Sequence, residues 1–69
     1  MDPKDPEKHV FLPDYIEVRE LAAALSLKPF QVVANLLALE IFKNPDELLD
    51  FKTAEAVARR RGFTPEKLM

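Results

Sequence analysis

Three consecutive arginines are the residues best suited to bind a charged partner in this 69-residue chain. Guanidinium groups bind phosphate oxygens through paired hydrogen bonds, and lysine ammonium groups add point charges. Arg59, Arg60 and Arg61, together with Lys52 and Lys67, are therefore a candidate patch for RNA phosphates. The alternative is a solvated helix end whose cations complement the helix dipole. The last 18 residues carry 5 basic and 2 acidic side chains, whereas the first 51 carry 5 and 10.

A second candidate surface is polar rather than strongly basic. Its four members lie on the first two predicted helices or at the corner between them: Arg19, Lys28, Gln31 and Asn35. Such a surface is a hypothesis for docking a protein partner.

The chain offers no residue set for catalysis or metal binding. It has no Cys and one His, His9, which excludes disulfides and leaves a zinc module without its ligand set. The acidic residues Asp46, Glu47 and Asp50 do not have the spacing of a calcium loop. Ser26 is the only serine, and it lies in a turn signal. We therefore predict a protein that is not an enzyme and has no cofactor, metal site or small-molecule substrate.

Length and hydropathy indicate one domain away from membranes. Sixty-nine residues make at most one domain. No apolar run approaches the roughly 18 residues of a membrane span, and the acidic, proline-containing N-terminus is not a signal peptide. The predicted location is the cytoplasm. We expect a flexible tail over residues 1–9, a module over 10–63, and a short tail or helical turn over 64–69.

Apolar periodicity predicts three helices, at Val18–Leu25, Pro29–Leu39 and Thr53–Arg61. The second has the widest apolar arc and is predicted to be the central, most buried helix. Its leucines and two neighbouring phenylalanines are assigned to the core: Phe30, Leu36, Leu37, Leu39 and Phe42. Phe51 and Phe63 are assigned to the core as well. Members of this set that stay exposed would instead mark a protein-partner surface.

Short strands are predicted between the helices, at residues 15–17, 41–43 and 49–51, with Asn44-Pro45-Asp46 as a turn. The run "VFLP" at 10–13 either adds an edge strand or lies on the core. Gly62 is expected to end the third helix in the left-handed conformation.

The corner between the first two helices has the rhythm of a helix-turn-helix. A recognition helix must present polar groups to base edges and basic groups to phosphates. The second helix offers Gln31 and Asn35, and its only cation is Lys28 at the entrance. DNA reading is therefore the least favoured function, and the corner is better interpreted as a packing feature.

Residues 15–63 resemble the small N-terminal module of bacterial translation initiation factor two. The matching pieces occur in the family's order: Ile16, "VRELA" at 18–22, Lys28-Pro29, Leu39, Ile41, "LDF" at 49–51, Thr53-Ala54 and Gly62-Phe63. No single piece is diagnostic, but the ordered combination is specific. Glu40 replaces the family's usual Gly, at a position that often needs positive φ. Lys52 replaces an acidic residue, and the second helix carries none of the family's usual exposed lysines.

The resemblance implies a compact α+β unit with three short helices and a very small sheet. In the full-length factor such modules lie ahead of a GTPase core and assist contact with the small ribosomal subunit. The GTPase motif GxxxxGK[ST] does not occur in this sequence. The expected function is a small non-catalytic binding module that contacts the ribosome or its RNA through the basic helix end. The alternative is a protein–protein adaptor with no nucleic-acid role.

Overall fold

Three helices and four short strands make up residues 8–68, the part of the chain that the computed structural model describes. They follow in the order β1 (His9–Leu12), β2 (Tyr15–Glu17), α1 (Val18–Ala24), α2 (Pro29–Ala38), β3 (Leu48–Asp50), α3 (Phe51–Arg60) and β4 (Thr64–Lys67). The α+β class with three short helices is confirmed. The predicted tail, residues 1–9, lies outside the described residues except for Lys8 and His9, and His9 already belongs to β1.

The strands form two separate pairs. β1 runs parallel to β4, with His9 opposite Thr64 and Leu12 opposite Lys67. β2 runs antiparallel to β3, with Ile16 opposite Leu49. The prediction of a tail or helical turn after residue 63 is therefore wrong for Thr64–Lys67. Pro65 obscured this strand, yet a proline is compatible with a strand at a sheet edge, and both strands of a two-stranded sheet are edges.

The segment between α2 and β3 also differs from the prediction. Residues 41–43 do not form a strand, because the Ile41 N–H instead donates to the Leu36 carbonyl (2.9 Å) and closes the end of α2. α3 begins at Phe51, two residues before the predicted start. The Asp50 side chain caps it by accepting a hydrogen bond from the Thr53 N–H at 2.9 Å.

All three helices end in the same way. Each is closed by a residue with positive φ: Ser26 (58°), Glu40 (63°) and Gly62 (83°). The next N–H then donates to a carbonyl five residues back, from Leu27 to Ala22, Ile41 to Leu36 and Phe63 to Ala58, at 2.7, 2.9 and 2.9 Å. The donor residues pack, partly buried, against the core. The left-handed Gly62 is confirmed, and Glu40 adopts the positive φ expected where the family has Gly.

The core lies where α1, α3 and the two sheets meet. Its buried side chains are all apolar: Val10, Leu12, Ile16, Val18, Leu21, Ala22, Leu25, Val32, Leu36, Leu49, Ala54, Val57 and Ala58. Phe51 and Phe63 are partly buried against this core.

The prediction that α2 is the most buried helix is wrong. It buries only Val32 and Leu36, whereas Phe30 and Leu37 are 67% and 47% exposed. Phe42, beyond its end, is 79% exposed. The apolar arc of α2 is wider than the face that the other elements cover, and a wide arc does not reveal which part of it finds a neighbour.

Candidate binding surfaces

The three arginines crowd the C-terminal end of α3, and all are exposed. An Arg59 guanidinium nitrogen lies 3.3 Å from a Glu55 carboxylate oxygen, one helical turn away. Arg60 Nε donates to Asn35 Oδ1 at 3.3 Å, which links α3 to α2. Within residues 8–68, no carboxylate lies within 4.0 Å of the Arg60 or Arg61 side chains. This helix end therefore carries a surplus of positive charge.

The two lysines of the candidate RNA patch lie at the other end of α3. Lys67 Nζ is 2.8 Å from Asp14 Oδ1 and 5.7 Å from the centroid of the Phe51 ring. The hydrogen bond and the charge of Asp14 raise the pKa of Lys67. Lys52 lines the same shallow cleft, together with Asp14 and Asp50. Two carboxylates thus balance two lysines there.

The five predicted phosphate-binding residues consequently do not form one patch. α3 has ten residues and is about 15 Å long. That length separates a basic end, Arg59 to Arg61, from a balanced end, Lys52 and Lys67.

The polar residues predicted to face a protein partner are largely used within the fold. Gln31 Oε1 accepts from the Lys28 N–H at 2.8 Å and so caps α2. Asn35 Nδ2 donates to the Gln31 carbonyl at 2.7 Å, and its oxygen accepts from Arg60. Arg19 lies at the start of α1, where its Nε is 3.9 Å from a Glu17 carboxylate oxygen. Arg19 is thus at the opposite end of α1 from Lys28.

Sequence reasoning missed a cleft beside the basic helix end. Lys8, His9 and Arg61 line it, and its volume is about 430 Å³. Lys8 Nζ lies 5.2 Å from the centroid of the Phe63 ring. Lys8 and His9 were assigned to the tail because prolines and charges dominate residues 1–9. The apolar run at 10–12 was the available sign that a strand begins nearby.

A second missed feature is the α2 apolar face, which we define as Phe30, Val33, Leu37 and Phe42. The first three are spaced at i, i+3 and i+7 and share one side of the helix. Val33, Leu37 and Phe42 line a groove of about 320 Å³ with Lys43 and Glu47 at its rim. That pair is joined at 4.0 Å, and α2 itself has no ionisable side chain. Phe30, Leu37 and Phe42 are exposed and meet the condition stated above for a partner surface, whereas Val33 is partly buried against the core.

Between residues 8 and 68 there is no group of three or more His, Asp or Glu side chains placed to hold a metal ion. No single described helix has the length and apolar character of a membrane span. Only α1 and α2 taken together have the length and apolar character of a span, and the pair is bent by 106° at the break between them.

Comparison with known proteins supplies the context for these surfaces. No protein-family model matches the chain. Translation initiation factor IF-2 of Caldanaerobacter subterraneus subsp. tengcongensis is 30% identical over 93% of the chain. The corresponding factors of Rickettsia felis and Desulfitobacterium hafniense are 33% identical over 96% and 30% identical over 86%.

The chain spans 9%, 8% and 6% of the length of these three relatives. It is an α+β module homologous to a small segment of a bacterial translation factor. That factor is translation initiation factor IF-2, which confirms the resemblance based on the ordered motifs.

Proposed function

We propose that this chain is a non-catalytic binding module of the bacterial translation machinery, acting in the cytoplasm. It contacts the small ribosomal subunit by binding RNA phosphates at the C-terminal end of α3. The observation that carries the proposal is the run of three exposed arginines, for which residues 8–68 supply one carboxylate partner, Glu55. Homology to segments of translation initiation factor IF-2 supports the choice of the ribosome as partner.

Charge balance argues against a purely structural role for the arginines. The C-terminus of a helix carries about half a negative charge, which one cation more than offsets. Arg59, Arg60 and Arg61 bring three positive charges, and Glu55 offsets one. About 1.5 positive charges remain after the helix dipole is counted. This surplus attracts phosphates. One cation is enough to stabilise the helix end, so a role in the helix alone does not explain three arginines.

The test compares two triple variants of the intact chain for binding to purified small ribosomal subunits. Arg59→Gln, Arg60→Gln and Arg61→Gln remove the basic end. Lys28→Gln, Lys52→Gln and Lys67→Gln remove the same charge elsewhere. We expect the arginine variant to lose binding and the lysine variant to retain most of it. Equal loss in both variants, with unchanged thermal unfolding, would show that net charge and not this helix end is responsible.

A second candidate function is protein docking through the α2 apolar face. Phe30 and Phe42, 67% and 79% exposed, carry this candidate. Because α2 has no ionisable side chain, the face matches the apolar side of a partner protein helix, whose charged residues would stay outside the contact. Phe30→Ser with Phe42→Ser is expected to abolish such docking.

The matched control for this second candidate is Phe11→Ser with Tyr15→Ser, which alters two rings that are 60% and 65% exposed on other elements. Binding is measured to intact small subunits and to their RNA freed of protein. Docking by the α2 apolar face predicts binding to intact subunits only, with little salt dependence. Equal binding to the protein-free RNA would exclude it as the main contact.

A further inference from the structure

The cleft beside the basic helix end gathers basic side chains from two parts of the chain that are far apart in sequence. Lys8 and His9 come from the start of the described chain, and Arg61 comes from the end of α3. Ser26, in the turn that follows α1, also lines the cleft. The remaining lining is mainly apolar: Ala24, Leu25, Leu27 and Phe63. Charged groups above apolar walls interact more strongly with an ion than they do in open water.

The fold holds these groups in place before any ligand arrives. His9 belongs to β1 and pairs with Thr64 of β4. Lys8 Nζ rests 5.2 Å from the Phe63 ring centroid, a cation–π distance. The Arg61 N–H donates to the Val57 and Ala58 carbonyls at 3.2 and 3.1 Å, which fixes its backbone as the cap of α3. Because the Lys8 ammonium and the Arg61 backbone are held in place, an anion meets a partly preorganised site.

The charges of the cleft itself roughly cancel, and a surplus of about one positive charge comes from the adjoining Arg59 and Arg60, of which Glu55 offsets one. α1 and α3 both end here, and their C-termini contribute about one negative charge at most. Their last carbonyls are already occupied by the N–H groups of Leu27 and Phe63, among others. Lys8 and Arg61 bring two positive charges. Among the described residues, one carboxylate pairs with a side chain of the cleft: Glu66 Oε2 lies 3.1 Å from His9 Nδ1.

We propose that this cleft binds a phosphate group, with Lys8 and Arg61 as its charge partners and the Ser26 hydroxyl as a hydrogen-bond donor. The inference rests on the proposed function where the phosphate is a phosphodiester of ribosomal RNA. A free phosphate has the same chemistry, and separate arms of the experiment distinguish the two sources. The cleft extends the contact from the arginines of α3 to the start of β1.

The first arm titrates the ¹⁵N-labelled intact chain with sodium phosphate, with sodium chloride at matched ionic strength as the reference. We expect saturable shifts of the amide signals of Ser26, Leu27, Gly62 and Phe63 with phosphate alone. Lys8→Gln with Arg61→Gln should abolish these shifts. Lys52→Gln with Lys67→Gln removes the same charge at the far end of α3 and should leave them intact. Lys8→Gln alone leaves every core side chain unchanged. If it also weakens the phosphate shifts, the loss comes from the missing charge and not from unfolding.

The second arm measures binding of an eight-nucleotide uridine RNA as salt rises. Each phosphate contact to a single strand contributes about 0.7 to the slope of log K against log salt, so the Lys8/Arg61 variant, which loses one phosphate contact, should lower the slope by about 0.7. The control pair should change it little.

The two arms separate the cleft from the function on which it rests. Phosphate shifts at the cleft without RNA or subunit binding would keep the site as one for free phosphate and overturn the proposed function. If the Arg59/Arg60/Arg61→Gln variant loses RNA binding while Lys8→Gln keeps it, and phosphate gives no saturable shifts, the cleft is overturned and the proposed function stands. Absence of both signals in the unaltered chain would overturn both.

Discussion

At the scale of single residues, the way the helices end is explained by backbone conformation more than by side-chain chemistry. Ser26, Glu40 and Gly62 occupy equivalent positions after the three helices, all with positive φ. A side chain in that region costs roughly 1–2 kcal/mol, which Gly avoids. The resemblance placed a Gly at residue 40, and the structure shows why such a residue suits the position. Glu40 is tolerated because the hydrogen bonds around it close α2 regardless of its side chain.

Glu40→Gly is expected to stabilise the domain by about 0.5–1 kcal/mol, since it relieves the left-handed strain but loosens the unfolded chain. Gly62→Ala should destabilise it by about 1–2 kcal/mol. An added Cβ at Gly62 meets no atom within 4 Å, so this cost would be purely conformational. Urea unfolding measures both. Ala34→Gly, in the middle of α2, is the control and should destabilise by about 1 kcal/mol. A loss of stability in Glu40→Gly would contradict the account.

Asp50 gives a prediction about pH. Its hydrogen bonds with Thr53 lower the pKa of its carboxyl below the ordinary value for an aspartate. The capped start of α3 is therefore stabilised fully above that value, and the contribution disappears as pH falls through the lower pKa of the folded state. Asp50→Asn should flatten the acid side of a plot of urea midpoint against pH. Asp46→Asn, in the preceding turn, serves as the control. An unchanged acid limb in Asp50→Asn would show that ionisation of Asp50 does not contribute to stability.

At the scale of elements, α2 shows which features apolar periodicity predicts and which it does not. Its start at Pro29 was predicted correctly because Pro suits the first turn of a helix. Its burial was overestimated because periodicity gives the width of an apolar arc and says nothing about neighbours. β4 was missed since Pro65 argues locally against a strand, and its partner β1 lies more than fifty residues away. The arginine cluster was visible in the sequence, but the cleft depends on that same long-range pairing.

Adjacent leucines on α2 test this description. Leu36 is fully buried, and Leu36→Ala should destabilise the domain by about 2–5 kcal/mol, a large share of the stability of a small domain. Leu37 is 47% exposed, and Leu37→Ala should cost less than about 1 kcal/mol. Thermal and urea unfolding of both variants provide the comparison. Similar losses in the two would mean that the face of α2 turned to the core is wrongly assigned.

At the scale of the whole molecule, the parallel pairing of β1 with β4 joins the two ends of the described chain. It covers Val10 and Leu12, and it brings Lys8 beside the end of α3. The module is thus larger than the resemblance over 15–63 indicated. The same pairing builds the fold and assembles the charged groups to which we assign binding.

Ending the chain at Phe63 should therefore destabilise the domain by more than about 2 kcal/mol, because it removes β4 and exposes core residues of β1. Lys67→Gln, which keeps the strand, is the control and should unfold almost like the unaltered chain. Differential scanning calorimetry measures both. A shortened chain with the same melting temperature would show that β4 adds no stability.

The most direct test of the central claim is the salt dependence of binding between the intact chain and purified small ribosomal subunits. Contact through Arg59, Arg60 and Arg61 predicts that log K falls linearly with log salt, with a slope of about −2 to −3 for three phosphate contacts. The Arg59/Arg60/Arg61→Gln variant should lose most of that slope. Tight binding that is indifferent to salt and unchanged in the variant would contradict a phosphate contact at the end of α3.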